Sequence, residues 1–276
     1  MRLLTLKSVL VATDLDAASR PAIQTAARLA PLAGASLYLL HASGEPSDGG
    51  VEKLVESFRL AAPEAGEPDD SVVITGFPAT VIVQHARAVG ADVVVLGPHR
   101  ERGAARPLGS TAASVVRAAP CPCLVAAAEL RLPLERVLVA VDDSHAAREA
   151  LEVAMSWASA LRPRGAQATL MALHVAPPAG SQDATDAIHR LVEEARDHAR
   201  DYARVDVTER VVPGSDPAKV ILQEAAAAKA DLLVIGTRAA QEVPPELGSV
   251  SAAVAQATSC PLLLVPPPGH RRPESD

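Results

Sequence analysis

Two stretches of this chain decide its fold: KSVLVATDLDAASRPAIQTAARLA at 7–30 and ERVLVAVDDSHAAREALEVAMSWA at 135–158. Each begins with an apolar run, reaches an aspartate and continues into a pattern typical of a helix. An apolar run that passes into a helix is typical of one unit of an α/β protein with a mostly parallel sheet. The chain therefore contains the same unit twice, 128 residues apart.

The repetition extends along the chain. PATVIVQHARAVGADVVVLG (78–97) matches PAKVILQEAAAAKADLLVIG (217–236) at an offset of 139. LGSTAASVVRAAPCPCLVA (108–126) matches LGSVSAAVAQATSCPLLLV (247–265) at the same offset. We therefore predict one domain used twice. Its parts are domain 1 (1–126), a short linker (127–134), domain 2 (135–267) and a disordered tail (268–276).

Apolar runs alternate with helical patterns in each half. The predicted strands are 7–13, 35–41, 71–75, 92–96 and 122–126 in half one, and 135–141, 168–174, 207–212, 231–235 and 261–265 in half two. The predicted helices are 17–33, 51–61, 79–90 and 110–118, then 145–161, 181–204, 218–229 and 249–257. Several strands are apolar throughout rather than alternating, which indicates a sheet with helices on both faces.

Length and composition exclude several classes of protein. A chain of 276 residues fits two ordinary domains, and its net charge of −7 argues against a nucleic-acid partner. With 2% aromatic residues, it lacks the stacking platforms of proteins that bind single strands. No apolar run approaches the roughly 20 residues that span a bilayer. Three cysteines in a chain of this length indicate reduced thiols and a cytoplasmic protein.

Four features in order, each present twice, carry a resemblance to a known family. The first strand ends in Asp14 or Asp142, and the second in His41-Ala42 or His174-Val175. The fourth strand ends in a glycine within ADVVVLG or ADLLVIG, and LGS opens the last helix ahead of a Cys-Pro pair. In these features the chain resembles the universal stress protein (UspA-like) family of bacterial stress-response proteins, in its tandem two-domain form.

The resemblance implies a fold and a site. The fold is α/β, with two repeated open parallel five-stranded sheets of order 3-2-1-4-5 and helices on both faces, which is adenine-nucleotide alpha-hydrolase-like and Rossmann-like. Ligands of such sheets bind where the strand order reverses. The implied ligand is ATP with Mg²⁺. The implied nucleotide-binding residues are Asp14, Ala42, Gly97, Arg100, Gly109, Ser110 and Thr111 in half one, and Asp142, Val175, Gly236, Gly248, Ser249 and Ser251 in half two.

Both copies depart from the nucleotide motif of the family, G-x2-G-x9-G-[ST]. Arg100 and Ala239 stand where the second glycine belongs, and the following spacer is one residue short in each half. A non-glycine residue in left-handed geometry costs about 1–2 kcal/mol. The arginines after Gly97 can replace lost N–H contacts by charge, which slightly favours half one.

The same residues have structural alternatives. Asp14 and Asp142 could cap the following helices, as could Ser110 and Ser249. His41 and His174 are better explained by packing or hydrogen bonding than by catalysis. Cys121 and Cys260 occupy equivalent positions before a strand, which favours buried structural thiols over a metal site.

Two function hypotheses follow. One is a non-catalytic stress protein whose assembly or partner choice responds to ATP; the other is a nucleotide-independent scaffold. No G-x-G-x-x-G follows a first strand, and no P-loop motif occurs. We predict no catalytic residue and no metal site. A slow ATPase is a third possible function.

The final strands predict how the halves meet. A fifth strand leaves an open sheet edge, which proteins pair or cover. CPCLVAA and CPLLLVPP can pair within the chain and form an intramolecular pseudo-dimer. A further homodimer is left open.

Overall fold

The computed structural model describes residues 6–45, 49–97, 99–101, 104–106, 108–162, 164–177, 181–198, 205–237 and 247–267. Half one contains β1 (Ser8–Thr13), a 3-10 turn (Ala17–Ser19), α1 (Arg20–Ala33), β2 (Ser36–Ser43), α2 (Gly50–Ala61), β3 (Asp70–Thr75), α3 (Pro78–Ala88), β4 (Val93–Leu96), β5 (His99–Glu101), β6 (Ala104–Arg106), α4 (Ser110–Ala118) and β7 (Cys123–Val125). Half two contains β8 (Arg136–Ala140), α5 (His145–Leu161), β9 (Ala168–Ala176), α6 (Ser181–His198), β10 (Val205–Pro213), α7 (Pro217–Ala227), β11 (Leu232–Gly236), α8 (Ser249–Ala257) and β12 (Leu262–Val265).

Ten of the described strands form one sheet, in the order β10-β9-β8-β11-β12-β7-β4-β1-β2-β3. Each half contributes five neighbouring strands in the order 3-2-1-4-5, and the pairs within each half are parallel. The fold class implied by the sequence is confirmed.

The two halves meet through their last strands. β7 and β12 pair antiparallel, with Leu124 opposite Leu263 and Leu262 opposite Val125. This pairing confirms the predicted contact between the final strands. It merges the two half-sheets into one sheet. Because β7 and β12 are antiparallel, the strands of half one run in the opposite direction to those of half two.

A hydrophobic core lies on each face of the sheet. One core contains side chains of α1, α2, α5 and α6, and the other contains side chains of α3, α4, α7 and α8. Neighbouring strand residues alternate between them, so that Val11 belongs to the first core and Leu10 to the second. Helices cover both faces, which explains the uninterrupted apolar runs of the strands.

The predicted linker, 127–134, is packed against both halves. Leu130 and Leu134 are fully buried in the first core. The Leu130 N–H donates to Oγ1 of Thr25 on α1 at 3.0 Å, and Glu129 forms an ion pair with Arg28 of the same helix. The segment therefore holds α1 in place as well as joining the two halves.

A few expectations need correction or fall outside the described residues. The antiparallel hairpin β5–β6, in which Arg100 lies opposite Ala105, was not predicted. Helix α6 was expected to continue to 204, but residues 199–204 lie outside the description, as does the predicted tail. Among the described residues, no helix combines the length and apolar character that crossing a membrane requires.

Candidate functional site

Two clefts open where the sheet order reverses, one between β1 and β4 and the other between β8 and β11. The half-one cleft has a volume of about 170 Å³ and the half-two cleft one of about 270 Å³. Twelve of the thirteen nucleotide-binding residues implied by the resemblance line them. These are Asp14, Ala42, Gly97, Gly109, Ser110 and Thr111 in half one, and Asp142, Val175, Gly236, Gly248, Ser249 and Ser251 in half two.

The thirteenth residue, Arg100, lies in strand β5 of the hairpin that follows Gly97. Its side chain lies outside the description, so its predicted role stays a prediction. The corresponding connection of half two, from 238 to 246, also lies outside the described residues.

A carboxylate follows the first strand in each half, and both are exposed. Oδ1 of Asp14 accepts from the Asp16 N–H at 3.0 Å, and Oδ1 of Asp142 accepts from the Ser144 N–H at 3.0 Å. The helical turns that follow are capped by other residues. Oδ1 of Asp16 accepts from the Ala18 N–H, and Oγ of Ser144 accepts from the Ala147 N–H. The alternative prediction that Asp14 and Asp142 are the caps is therefore wrong.

The two carboxylates differ in one contact. Oγ of Ser19 donates to Oδ1 of Asp14 at 2.7 Å, and Ser19 also lines the half-one cleft. At the repeat-equivalent position, 128 residues later, half two has Ala147, which offers no hydroxyl. The half-one carboxylate is thus more firmly held, in the smaller of the two clefts.

The last helix of each half begins at its cleft without a side-chain cap. Gly109 and Gly248 are the N-cap residues of α4 and α8, and within the described residues neither helix has a side-chain cap hydrogen bond. Ser110 and Ser249 are the first helical residues, so the expectation that they cap these helices is wrong. First-turn N–H groups without a cap, at the positive end of a helix, favour an anion.

Ser251 adds a contact in half two alone. It is buried, and its Oγ donates to the carbonyl oxygen of Gly236 at 2.9 Å. This bond ties the first turn of α8 to the end of β11. The equivalent residue in half one is Ala112, which cannot make it.

The two histidines near the ends of the second strands, His41 in β2 and His174 in β9, make the same hydrogen bond. Nδ1 of His41 lies 2.8 Å from the Thr13 carbonyl oxygen, and Nδ1 of His174 lies 2.8 Å from that of Val141. Since a carbonyl only accepts, Nδ1 carries the proton in both rings. The hydrogen-bonding interpretation is confirmed: each histidine ties the end of its strand to the neighbouring first strand.

An apolar wall of each cleft was not predicted as part of the site. Pro78 and Ile82 of α3 line the half-one cleft, and Pro217 and Ile221 of α7 line the half-two cleft. The sequence analysis used the prolines only as helix starts. The repeat contained the signal, since PATVI and PAKVI put both pairs at an offset of 139.

The cysteines lie away from the clefts. None of the three forms a disulfide; Cys121 and Cys123 are buried, and Cys260 is half-buried. Burial raises the pKa of the Cys123 thiol well above its ordinary value. The predicted burial is confirmed for Cys121, whereas Cys260 is partly exposed.

A further group of titratable side chains lies on the surface of half two. Donor atoms of His189, Glu193 and Glu209 lie within 4.8 Å of one another. His189 Nδ1 is 3.2 Å from Oε1 of Glu209, while Glu193 forms an ion pair with Arg196. These are surface ion pairs, of a kind that contributes at most about 1 kcal/mol each.

The strand order and the paired clefts define a tandem α/β protein with one candidate ligand site per half. The sequence profile of the Universal stress protein family matches twice, at residues 5–127 and 133–266. The chain belongs to this family, in its tandem form.

Individual relatives agree with this assignment. Universal stress protein A homolog 2 of Coxiella burnetii is 30% identical over 135 residues, which are 43% of this chain and 92% of the relative. A universal stress protein structure from Archaeoglobus fulgidus superposes with a TM-score of 0.71 at 19% identity, covering 94% of this chain and 98% of the other. A functionally unknown protein from Pseudomonas aeruginosa PAO1 gives 0.66 at 19% identity, covering 97% and 95%. The two solved structures support the fold alone.

Proposed function

We propose that this protein is a non-catalytic stress-response protein whose two clefts bind an adenine nucleotide, ATP with Mg²⁺. One observation carries the proposal. In both halves, the cleft at the reversal of strand order collects a carboxylate, a glycine and an uncapped helix start. Open α/β sheets bind ligands at this place.

Each wall of the cleft suits a different part of a nucleotide. The free N–H groups at the start of α4 and α8, with the Ser110 and Ser249 hydroxyls, would hold phosphate oxygens. Asp14 and Asp142 would accept from ribose hydroxyls or bind the Mg²⁺ ion. The apolar wall made by α3 or α7 would take the base.

The scaffold function is the competing candidate, and one contact favours it in half one. The Ser19 hydroxyl already bonds to Asp14, the carboxylate that a ribose would need. This bond fits a cleft whose carboxylate is already satisfied by a side chain of the protein itself. In this case the surface of the protein would engage partners without nucleotide.

Mass spectrometry of the denatured protein, after native purification, separates the two functions. The proposal expects ATP, ADP or AMP to be released, and calorimetry with Mg·ATP to give a saturable isotherm. If no nucleotide is released and the calorimetric signal is flat, the nucleotide-binding proposal fails and the scaffold function remains.

Two neighbouring aspartates give a matched pair of variants. Asp142 lines the half-two cleft, while Asp143 beside it is also exposed but does not line it. D142N should weaken nucleotide binding in half two and D143N should leave it unchanged. Equal effects of the two variants would contradict the assignment of Asp142 to the site.

The absence of catalysis is part of the proposal. The cleft histidine of half two, His174, uses Nδ1 to bond to a backbone carbonyl, and we assign neither a nucleophile nor a general base to either cleft. We expect the protein to leave Mg·ATP intact over many hours. Steady release of phosphate that is lost in D142N but kept in D143N would show a slow ATPase instead.

A further inference from the structure

Phe77 is an aromatic residue whose side chain is almost fully exposed to solvent. Its exposed fraction is 85%, whereas Phe58 and Trp157 are 1% and 2% exposed. Tyr38 is half-buried, so among the aromatic side chains that the structure describes, Phe77 alone faces the solvent. A chain with so few aromatic residues leaves one of the most apolar in contact with water.

Phe77 lies next to the half-one cleft. It directly precedes Pro78, which belongs to the apolar wall of that cleft. The preceding residue, Gly76, donates its N–H to the Ser43 carbonyl oxygen at 2.8 Å, and Ser43 follows the cleft residue Ala42. The chain around Phe77 is thus tied to the end of β2, at the apolar side of the cleft.

The part of the cleft that suits phosphate is the start of α4 at Gly109, where the described residues supply no side-chain cap. It follows β4, whereas Ala42 and Pro78 belong to the chain at the ends of β2 and β3, on the other side of β1 in the sheet. A nucleotide with its phosphates at the start of α4 would direct its base toward Ala42, Pro78 and Ile82. Phe77 adjoins this end, where an aromatic ring can stack on a base.

The second half serves as an internal control. At the offset of 139, Asp216 takes the place of Phe77, again just before a proline. Oδ1 of Asp216 caps α7 by accepting from the Lys219 N–H at 3.1 Å. Phe77 is likewise the N-cap residue of α3, but its side chain makes no cap bond. In half one, the helix therefore lacks the side-chain cap that half two has at this position. The exposed Phe77 ring does not replace the lost stability by being buried.

We propose that Phe77 stacks on the base of a purine nucleotide bound in the half-one cleft and makes this the tighter of the two sites. This inference rests on the proposed nucleotide function and names a residue that sets affinity and base preference. In half two, the carboxylate of Asp216 at the same position provides no stacking surface and adds negative charge near an anionic ligand. The two clefts would then differ in affinity despite their common fold.

The variant F77D tests this inference, because it installs the residue of half two. Asp is a good N-cap, so F77D should be at least as stable as the wild type in urea denaturation. Calorimetry with Mg·ATP should show the affinity of the tighter site falling about fivefold or more in F77D, because the stacking of the base on the ring is lost, while F77W retains the affinity.

Two further measurements sharpen the test. L60D places the same charge on α2, where Leu60 is 68% exposed and does not line either cleft, and it should bind ATP like the wild type. In F77W, added Mg·ATP should quench the new indole fluorescence beyond any change of Trp157 in the wild type. The wild type should also prefer ATP to CTP at the tighter site, and F77D should lose this preference.

The possible failures are distinguishable. If the wild type binds no nucleotide, the proposed function and this inference both fail. If it binds ATP and F77D binds equally well, the inference alone is overturned. If F77D changes the sedimentation of the protein while its ATP affinity is kept, Phe77 is a protein contact and the inference is again overturned.

Discussion

A Cβ atom added to Gly236 would lie 2.4 Å from the backbone carbonyl oxygen of Ala146. The end of β11 thus touches the first turn of α5, and a backbone atom cannot swing aside as the end of a long side chain can. At the equivalent Gly97, the nearest atom is the Cα of Ser19 at 3.1 Å, which leaves more room. These glycines let a helix start approach the strand end closely, whether or not a ligand is bound.

We expect G236A to lower the free energy of unfolding by about 2–3 kcal/mol, because the strand and helix must move apart. G97A should cost about 1 kcal/mol. Urea denaturation followed by circular dichroism measures both. Gly66 is the control, since a Cβ there meets nothing within 4 Å and its φ is not positive. If G236A were as stable as G66A, the close approach would not limit this position.

The bond between Thr25 and Leu130 gives a second prediction. The Thr25 side chain is fully buried, and its Oγ1 accepts the Leu130 N–H. T25V keeps the shape but leaves a buried N–H without an acceptor, which should cost about 1–3 kcal/mol in urea denaturation. T25S retains the hydroxyl and should lose less. A larger loss in T25S than in T25V would mean that the methyl group, and not the hydrogen bond, fixes the linker.

The contact between the halves can be measured by a double-mutant cycle on Leu124 and Leu263. Both are fully buried and lie opposite each other across the β7–β12 pair. Each change to Ala should cost about 2–5 kcal/mol, and the pair should show a coupling of about 1 kcal/mol. Leu39 with Leu263 is the control pair, because four strand spacings of about 4.8 Å separate β2 from β12. That pair should be additive. Additivity of the first pair would contradict the register of the junction.

Cys260 should react slowly with iodoacetamide in the native protein. Burial, the largest cause, raises the pKa of its thiol to about 12. At pH 8 the thiolate fraction falls about a thousandfold, and the greater nucleophilicity of a more basic thiolate offsets part of this, which leaves a rate about 50-fold lower. Peptide mapping by mass spectrometry, with and without urea, measures the rate at Cys260.

The raised pKa of Cys260 also predicts how the folding stability changes with pH. The folded state keeps the Cys260 proton above pH 9, while the unfolded state loses it. Folding stability should therefore fall as the pH rises from about 9 toward 12. The native labelling rate should also keep rising beyond pH 9 instead of levelling off. A plateau near pH 9 would show that the folded pKa is ordinary and that access alone limits labelling.

The repeat made most of the fold predictable, since each apolar run in one half had a counterpart in the other. The hairpin β5–β6 was missed because backbone pairing holds it, and its sequence HRERGAAR shows no apolar alternation. The helix caps were misassigned because Gly109 and Ser110 are both suitable N-cap residues. Only the backbone dihedrals show that the glycine takes that place.

The site was predictable to the level of its residues but not of its contacts. Asp14 and Asp142 hold the same position in the repeat, and both line a cleft as expected. Their difference depends on the Ser19 hydroxyl, five residues beyond Asp14, which packing of the helical turn brings to the carboxylate. The sequence contains that serine, but its bond is a property of the folded chain.

The antiparallel pairing of β7 with β12 has a consequence for how the two halves can evolve. Each molecule carries one copy of each cleft in a fixed geometry at any protein concentration, because the two halves share one polypeptide. In a dimer of identical subunits, every substitution would enter both sites at once. Here Phe77 and Asp216 differ without conflict, so the chain keeps the architecture of a symmetric pair while its two sites are free to specialise.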